Sequence, residues 1–223
     1  MNSPAGARTA ADTTAEFFDD YAQDFDAIYG TKHTWIHKFV NRYLRASMRR
    51  RFENTLAGCN PLEGKSVIDI GCGPGHYTVA LGKRGAARLY GLDFAGTMID
   101  IARQRAEETG IADRCEFAVG DFMKVDLGEQ FDYAIVMGFM DYVAEPQAMI
   151  DRTLGITRGK AFFSFPVSGG FLAWQRQLRY KRRCDLYLYT EPQIRKLFDA
   201  SPAKAVNIEQ INRDFFVTAT MGA

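Results

Sequence analysis

Between residues 32 and 57 the apolar side chains Trp35, Ile36, Phe39, Val40, Tyr43, Leu44, Met48 and Phe52 recur at spacings of three and four. That period is one face of a long amphipathic helix, and Arg42, Arg45, Arg49 and Arg50 occupy the opposite face. Gly58 and Pro61 then punctuate the chain. From residue 65 the period changes. KSVIDI is a continuous apolar run of strand length, and HYTVALGKR after the glycines is helical. ARLYGLD predicts a second strand, GTMIDIARQRAEETG a helix, CEFAVGD a third strand and FDYAIVMG a fourth. A helix near 145–156 leads into KAFFSFP, the fifth. Strands apolar on both faces, alternating with helices, predict a mostly parallel sheet in an α/β fold.

The tail breaks the alternation. TEPQ at 190–193 fits a capping box, with Thr190 as N-cap and Gln193 three residues on. The helix it opens runs to about residue 199 and stops before Ser201-Pro202. AVNIEQI and DFFVTAT, parted by Asn212-Arg213, predict two strands joined by a tight turn. The sheet is therefore expected to close with an antiparallel hairpin. Residues 167–189 fit no sheet element and predict an inserted cap. The expected organisation is a leader over 1–14, a helical lid over 15–60, and a main domain over 61–223 that carries the cap.

Composition narrows the function classes. A chain of 223 residues, 47% apolar and 13% aromatic, can bury one substantial core. A formal charge of +1 argues against a generally basic nucleic-acid binder. No apolar run approaches the roughly 20 residues of a spanning helix, and the N-terminus lacks the apolar segment of a secretory signal. Cys59, Cys72, Cys115 and Cys184 include no CxxC pair, so no metal is expected and reduced thiols in a cytoplasmic protein fit best. Monomer and homodimer are both compatible with this composition.

The chemistry concentrates in VIDIGCGPG at 67–75. Gly71, Gly73 and Gly75 leave bare backbone ahead of a helix N-terminus, where a ligand can lie close or an anionic group can be received. Asp69 lies inside the preceding strand, Asp93 ends the second and Asp121 ends the third. Ligands of open α/β sheets bind beyond the carboxyl ends of the strands, which places these acids along one rim. Asp93 follows Gly73 at the spacing from which an acid accepts ribose hydroxyls. GCGPG is not the GxGxxG of a pyrophosphate site, which leans away from NAD.

The ordered set VIDIGCGPG, YGLD, VGDF and FDYAIVMG resembles the class I S-adenosylmethionine (SAM) dependent methyltransferases, and most of all their small-molecule, quinone-biosynthesis branch. The motifs cover about residues 65–166, and the terminal hairpin extends the resemblance. It implies a Rossmann-like, seven-stranded sheet with helices on both faces, with SAM as methyl donor and S-adenosylhomocysteine (SAH) as product. Asp69, Gly71, Gly73 and Gly75 would then meet the methionine end, and Asp93 the ribose. Phe94 and Met98 would flank the adenine, Asp121 would meet its amine and Phe122 would lie beside the ring. Met137 and Gly138 would face the methionine moiety and the acceptor. Similar N-terminal helices fold over the cofactor, which points to Tyr21 in FFDDYAQDFDAIYG as an aromatic contact and to Tyr29 for substrate. Packing of Phe17, Phe18, Tyr21 and Phe25 among themselves is the alternative.

Candidates for catalysis are His76, His33, Asp141 and Tyr142. His76 follows the glycine loop and is either a base for O- or N-methylation or a helix-opening residue. His33 and His37 stand one turn apart, yet no third ligand accompanies them. In GFMDYV, Phe139 is a substrate contact and Asp141 orients or deprotonates the acceptor, or else opens a helix. Related quinone enzymes show His after this acid; here Tyr142 follows it. In the cap, Arg176, Arg179 and Arg183 recur at helical spacing among aromatic residues. They suit a carboxylate- or phosphate-bearing small molecule, or a solvated face, or contact with RNA or anionic lipid. Two other functions compete with methyl transfer to oxygen or nitrogen of a small metabolite: a NAD-linked oxidoreductase, and a non-catalytic SAM-binding partner protein.

Overall fold

The computed structural model describes residues 35–169 and 186–222, with side chains from residue 46 onward. The N-terminal contacts Tyr21, Tyr29 and His33 and the cap arginines Arg176, Arg179 and Arg183 lie outside the described residues.

Helix α1 (Trp35–Gly58) precedes β1 (Ser66–Ile70), α2 (His76–Lys83), β2 (Arg88–Asp93), α3 (Gly96–Glu108) and β3 (Cys115–Val119). Strand β4 (Phe131–Val136), α4 (Pro146–Gly155), β5 (Thr157–Pro166), α5 (Glu191–Phe198), β6 (Ala203–Ile211) and β7 (Asp214–Met221) follow. The seven strands form one sheet in the order β3-β2-β1-β4-β5-β7-β6. The first five are parallel, while β7 runs antiparallel to both β5 and β6. This is the sheet expected from the sequence, hairpin included. Thr190 and Gln193 complete the capping box at the start of α5.

Alternating side chains of each strand fill two cores. Ile68, Ile70, Val136, Phe163 and Phe165 pack with Met149, Ile150 and Leu154 of α4 and with Ile194 and Phe198 of α5. Val67, Tyr133, Ile135 and Phe162 pack the other way, against Leu56 of α1 and Leu81 of α2. Arg50 and Asn54 of α1 both reach Glu209 of β6, at 2.9 and 3.2 Å.

The two ends of the expected cap, 167–189, meet beside the sheet. Val167 and Tyr189 form a parallel bridge, and Ser168 N–H donates to the Tyr189 carbonyl at 2.7 Å. Tyr189 is buried, with its ring edge-on to Phe165 at 5.0 Å. It is a core residue because its backbone extends a strand end, which the aromatic pattern of the segment concealed.

Candidate functional site

Strand order reverses between β1 and β4: the chain steps outward through β2 and β3, then returns to the other side of β1. Crevices at such switch points receive ligands. The two loops that flank this one are GCGPG after β1 and Met137–Phe139 after β4.

The glycine loop is held by its neighbours. Gly71 and Cys72 N–H groups donate to the Leu92 carbonyl at 2.8 and 3.1 Å, which carries the loop across the end of β2. Gly71 has φ of 68°, the left-handed region in which a side chain is strained. Any Cβ there would also run into the Phe139 ring, with Cε2 at 3.1 Å and Cδ2 nearer still. The Phe139 and Phe94 rings lie 6.4 Å apart, so two aromatic faces border the loop. A Cβ on Gly73 would meet nothing within 4 Å, so the loop opens onto space there. Helix α2 begins at His76 behind Gly75, without a side-chain cap, and its first N–H groups face that end.

Asp93 joins the glycine loop to the loop after β2. One carboxylate oxygen accepts from Gly73 N–H and the other from Ala95 N–H, both at 2.9 Å. The side chain is buried and held in one orientation, the pre-organisation that a hydroxyl-binding acid needs. Asp69 is buried beneath the loop and accepts from Thr78 Oγ1 at 2.8 Å. Burial pushes its carboxyl up to about 7, against the pull of the Thr78 bonds, and the charge of Asp93 adds to the rise.

That shift predicts a pH dependence. The folded value lies above the ordinary 3.8, so the folded chain holds a proton that the unfolded chain releases. The contribution is fully present below about pH 4 and is lost as pH rises through about 7. Urea midpoints of the ligand-free protein are therefore expected to fall between pH 5 and pH 8 more steeply than those of Asp69→Asn. Parallel pH profiles for the two proteins would make Asp69 an ordinary carboxylate.

Other expected site residues are distributed unevenly. Met98 is buried beside Phe94 and Ala95, under the loop after β2. Asp121 accepts from Met123 N–H at 2.9 Å and pairs with Lys124 at 3.2 Å, while remaining partly exposed. Phe122 is turned into the core, 3% exposed, with the Arg152 guanidinium 5.1 Å above its ring. Arg152 also donates to the Val125 carbonyl, which ties α4 to this turn. Met137 packs against the α1 side of the sheet, and Gly138 N–H donates to Ser164 Oγ at 2.8 Å. Asp141 is buried in a 3-10 turn (Met140–Tyr142), and its carbonyl accepts from Tyr187 N–H at 2.9 Å. The returning end of the cap is thus tied to the end of β4.

His76 is exposed, and Arg105 of α3 approaches its ring nitrogens at 3.2 and 3.4 Å while donating to the Pro74 carbonyl at 3.1 Å. A guanidinium can only donate, so the imidazole is an acceptor in this contact. The sequence did not single out Arg105, Thr78, Ser164, Arg51 or Asp214. An acid opening the apolar run DFFVTAT was the one visible sign of the last. No group of three or more His, Cys, Asp or Glu side chains suited to a metal exists among the described residues. No described helix is long and apolar enough to cross a membrane. A cleft of about 470 Å³ opens at the amino ends of the central strands, lined by Ser66, Arg88, Asp132 and Arg158. Lys65 and Arg158 lie 3.2 and 3.7 Å from Asp132 there, so charges at that end satisfy one another, away from the glycine loop.

Comparison with known proteins agrees with this geometry. Residues 67–158 match a family model described as a methyltransferase domain. A ubiquinone biosynthesis O-methyltransferase of Coxiella burnetii is 33% identical over 105 residues, covering 46% of this chain and 44% of that protein. Its counterpart in a Chelativorans species is 29% identical over 153 residues, covering 67% and 59%. The matches thus span about half the length of these curated relatives. Magnesium protoporphyrin IX methyltransferase of Synechocystis PCC 6803, solved with bound SAM, superposes with a TM-score of 0.75 at 20% identity, covering 98% of this chain and 100% of that one. Geranyl diphosphate C-methyltransferase of Streptomyces coelicolor superposes at 0.72 with 12% identity, covering 98% and 100%. At such identities the two structures speak for the fold.

Proposed function

We propose that this chain, whose residues 67–158 match a methyltransferase domain model, is a class I SAM-dependent methyltransferase that transfers the methyl group of SAM to oxygen or nitrogen of a small-molecule acceptor. The carrying observation is the Asp93 carboxylate, which binds Gly73 and Ala95 together at the switch point. The open space over Gly73 and the uncapped start of α2 suit the cofactor. When bound, SAM supplies an already activated methyl group. Oxygen is the favoured acceptor atom, because the sequence relatives are named O-methyltransferases.

In this reading Asp69, Gly71, Gly73 and Gly75 hold the methionine end and Asp93 the ribose. Phe94 and Met98 flank the adenine, and Asp121 accepts from its amine. Met137, Gly138 and Phe139 border the acceptor. Aligning acceptor and donor in line, and keeping water off, is then the main task of these residues. Asp141 with Tyr142 is a better-placed candidate to orient the acceptor than His76, which Arg105 engages. Residues 15–60 are the proposed lid, with Tyr21 as a candidate cofactor contact, Tyr29 as a candidate substrate contact and His33 as a candidate for catalysis. Arg176, Arg179 and Arg183 favour a carboxylate- or phosphate-bearing acceptor. The working compartment in this proposal is the cytoplasm, with a monomer or homodimer as the active form.

Calorimetric titration tests the reading. SAM and SAH are expected to bind, and NAD is not. Binding of NAD alone would transfer the crevice to an oxidoreductase, and a SAM-binding protein with no methyl acceptor in a metabolite screen would fit a non-catalytic partner.

A further inference from the structure

Ser164 of β5 joins the end of β4 to the N-terminal helix. Its hydroxyl oxygen accepts from Gly138 N–H at 2.8 Å and from Arg51 Nη1 at 3.1 Å. Arg51 lies 3.5 Å from Asp214 Oδ2, and Ser47 Oγ lies 3.0 Å from the same oxygen and 3.2 Å from the Ile211 carbonyl. All four groups are withdrawn from water: Ser47, Ser164 and Asp214 are buried, and the Arg51 side chain is 11% exposed. The cluster therefore bridges α1, the turn between β6 and β7, β5 and the loop after β4.

A buried ion pair of this kind is weak support for stability, because desolvation offsets much of its attraction and apolar packing serves as well. An apolar substitute, however, could not hold the Gly138 peptide. That residue has φ of 70°, a conformation adopted off the regular strand path, and its N–H would be orphaned without the Ser164 oxygen. The next residue is Phe139, whose ring rests against Gly71. One lone pair of the Ser164 oxygen thus holds the Gly138 peptide, and the other receives Arg51 of α1. Arg51 and Asp214 fix Ser164 in turn.

We infer that Ser164, oriented by Arg51 and Asp214, is a positioning residue that sets the Gly138 peptide and the Phe139 ring over the glycine loop, so that cofactor affinity depends on a hydroxyl beneath the crevice. This inference rests on the reading of that loop as the SAM site. It also couples α1 to the crevice through a chain of polar contacts.

The test is SAH titration of the full chain with Ser164→Ala, Arg51→Lys and, as a control, Thr157→Ala. Thr157 is buried in the same strand at its other end, where its hydroxyl donates to the Thr153 carbonyl at 2.6 Å. Ser164→Ala is expected to weaken SAH binding roughly 5- to 30-fold, the effect of one lost buried hydrogen bond transmitted to the ligand. Arg51→Lys keeps the charge beside Asp214 but loses the planar fork, and a smaller loss of about threefold is expected. Thr157→Ala lowers the melting temperature and leaves affinity at the native value. A folded Ser164→Ala with native affinity overturns the inference, as does an equal loss in Thr157→Ala. Should Ser164→Ala fail to fold, Arg51→Lys decides: native affinity there overturns it. A native protein that does not bind SAH overturns the SAM reading itself and the inference with it, a pattern distinct from variants that match a binding native chain.

Discussion

Asp93→Ala is expected to remove measurable SAM binding and to loosen the crevice at once. The substitution orphans the Gly73 and Ala95 N–H groups, each of which donates to this carboxylate at 2.9 Å. An unsatisfied buried donor costs roughly 1–3 kcal/mol; Ala95 is buried while half-buried Gly73 can take water, so the folded state is expected to lose on the order of 1–3 kcal/mol. The same change removes a charged acceptor for ribose hydroxyls. Asp93→Asn separates the two effects. Its amide oxygen can keep one of the two backbone bonds, so most of the stability is expected to return while affinity stays low. Calorimetry beside urea denaturation reads both quantities. Native affinity in Asp93→Asn would take Asp93 out of the cofactor site and leave it a purely structural tie.

Gly71→Ala is the second large effect. The left-handed backbone at φ of 68° costs an alanine roughly 1–2 kcal/mol. The added methyl group must also displace the Phe139 ring, at a further cost of roughly 1–3 kcal/mol for overpacking. The total is about 2–5 kcal/mol, with SAM affinity reduced because Phe139 leaves its place on the loop. Phe139→Ala removes the clash and leaves the backbone strain. The double variant is therefore expected to be more stable than the sum of the two single losses, with a coupling on the order of 1–3 kcal/mol. Strict additivity in this cycle would show that the ring does not press on Gly71 in solution.

Much of this architecture was legible in the chain because local chemistry and global fold agree. KSVIDI and FDYAIVMG are apolar on both faces, which only a strand covered by helices on each side tolerates. Thr190 and Gln193 announced the helix start that the structure completes, and Asn212-Arg213 marked the hairpin turn. Asp93 was legible as well, through its spacing from the glycines. The surroundings of Phe122 show where such reasoning stops: its ring packs under Arg152, thirty residues along the chain, a partner that no spacing announced. Tyr189 likewise reads as a cap aromatic and packs instead on Phe165.

The sequence by itself determined the alternation of elements, the glycine loop with its acids at strand ends, and hence the resemblance to methyltransferases. These depend on period and spacing, which are local. Only the tertiary structure decided that Asp93 is spent on two backbone N–H groups, that Arg105 engages His76, and that Ser164 joins Arg51 and Asp214 to Gly138. Each of those contacts joins residues that are distant in the chain or on different elements, in orientations set by packing. A buried polar group takes whichever partner the packed core brings within about 3 Å, and that partner has no fixed spacing from which it could be read in advance.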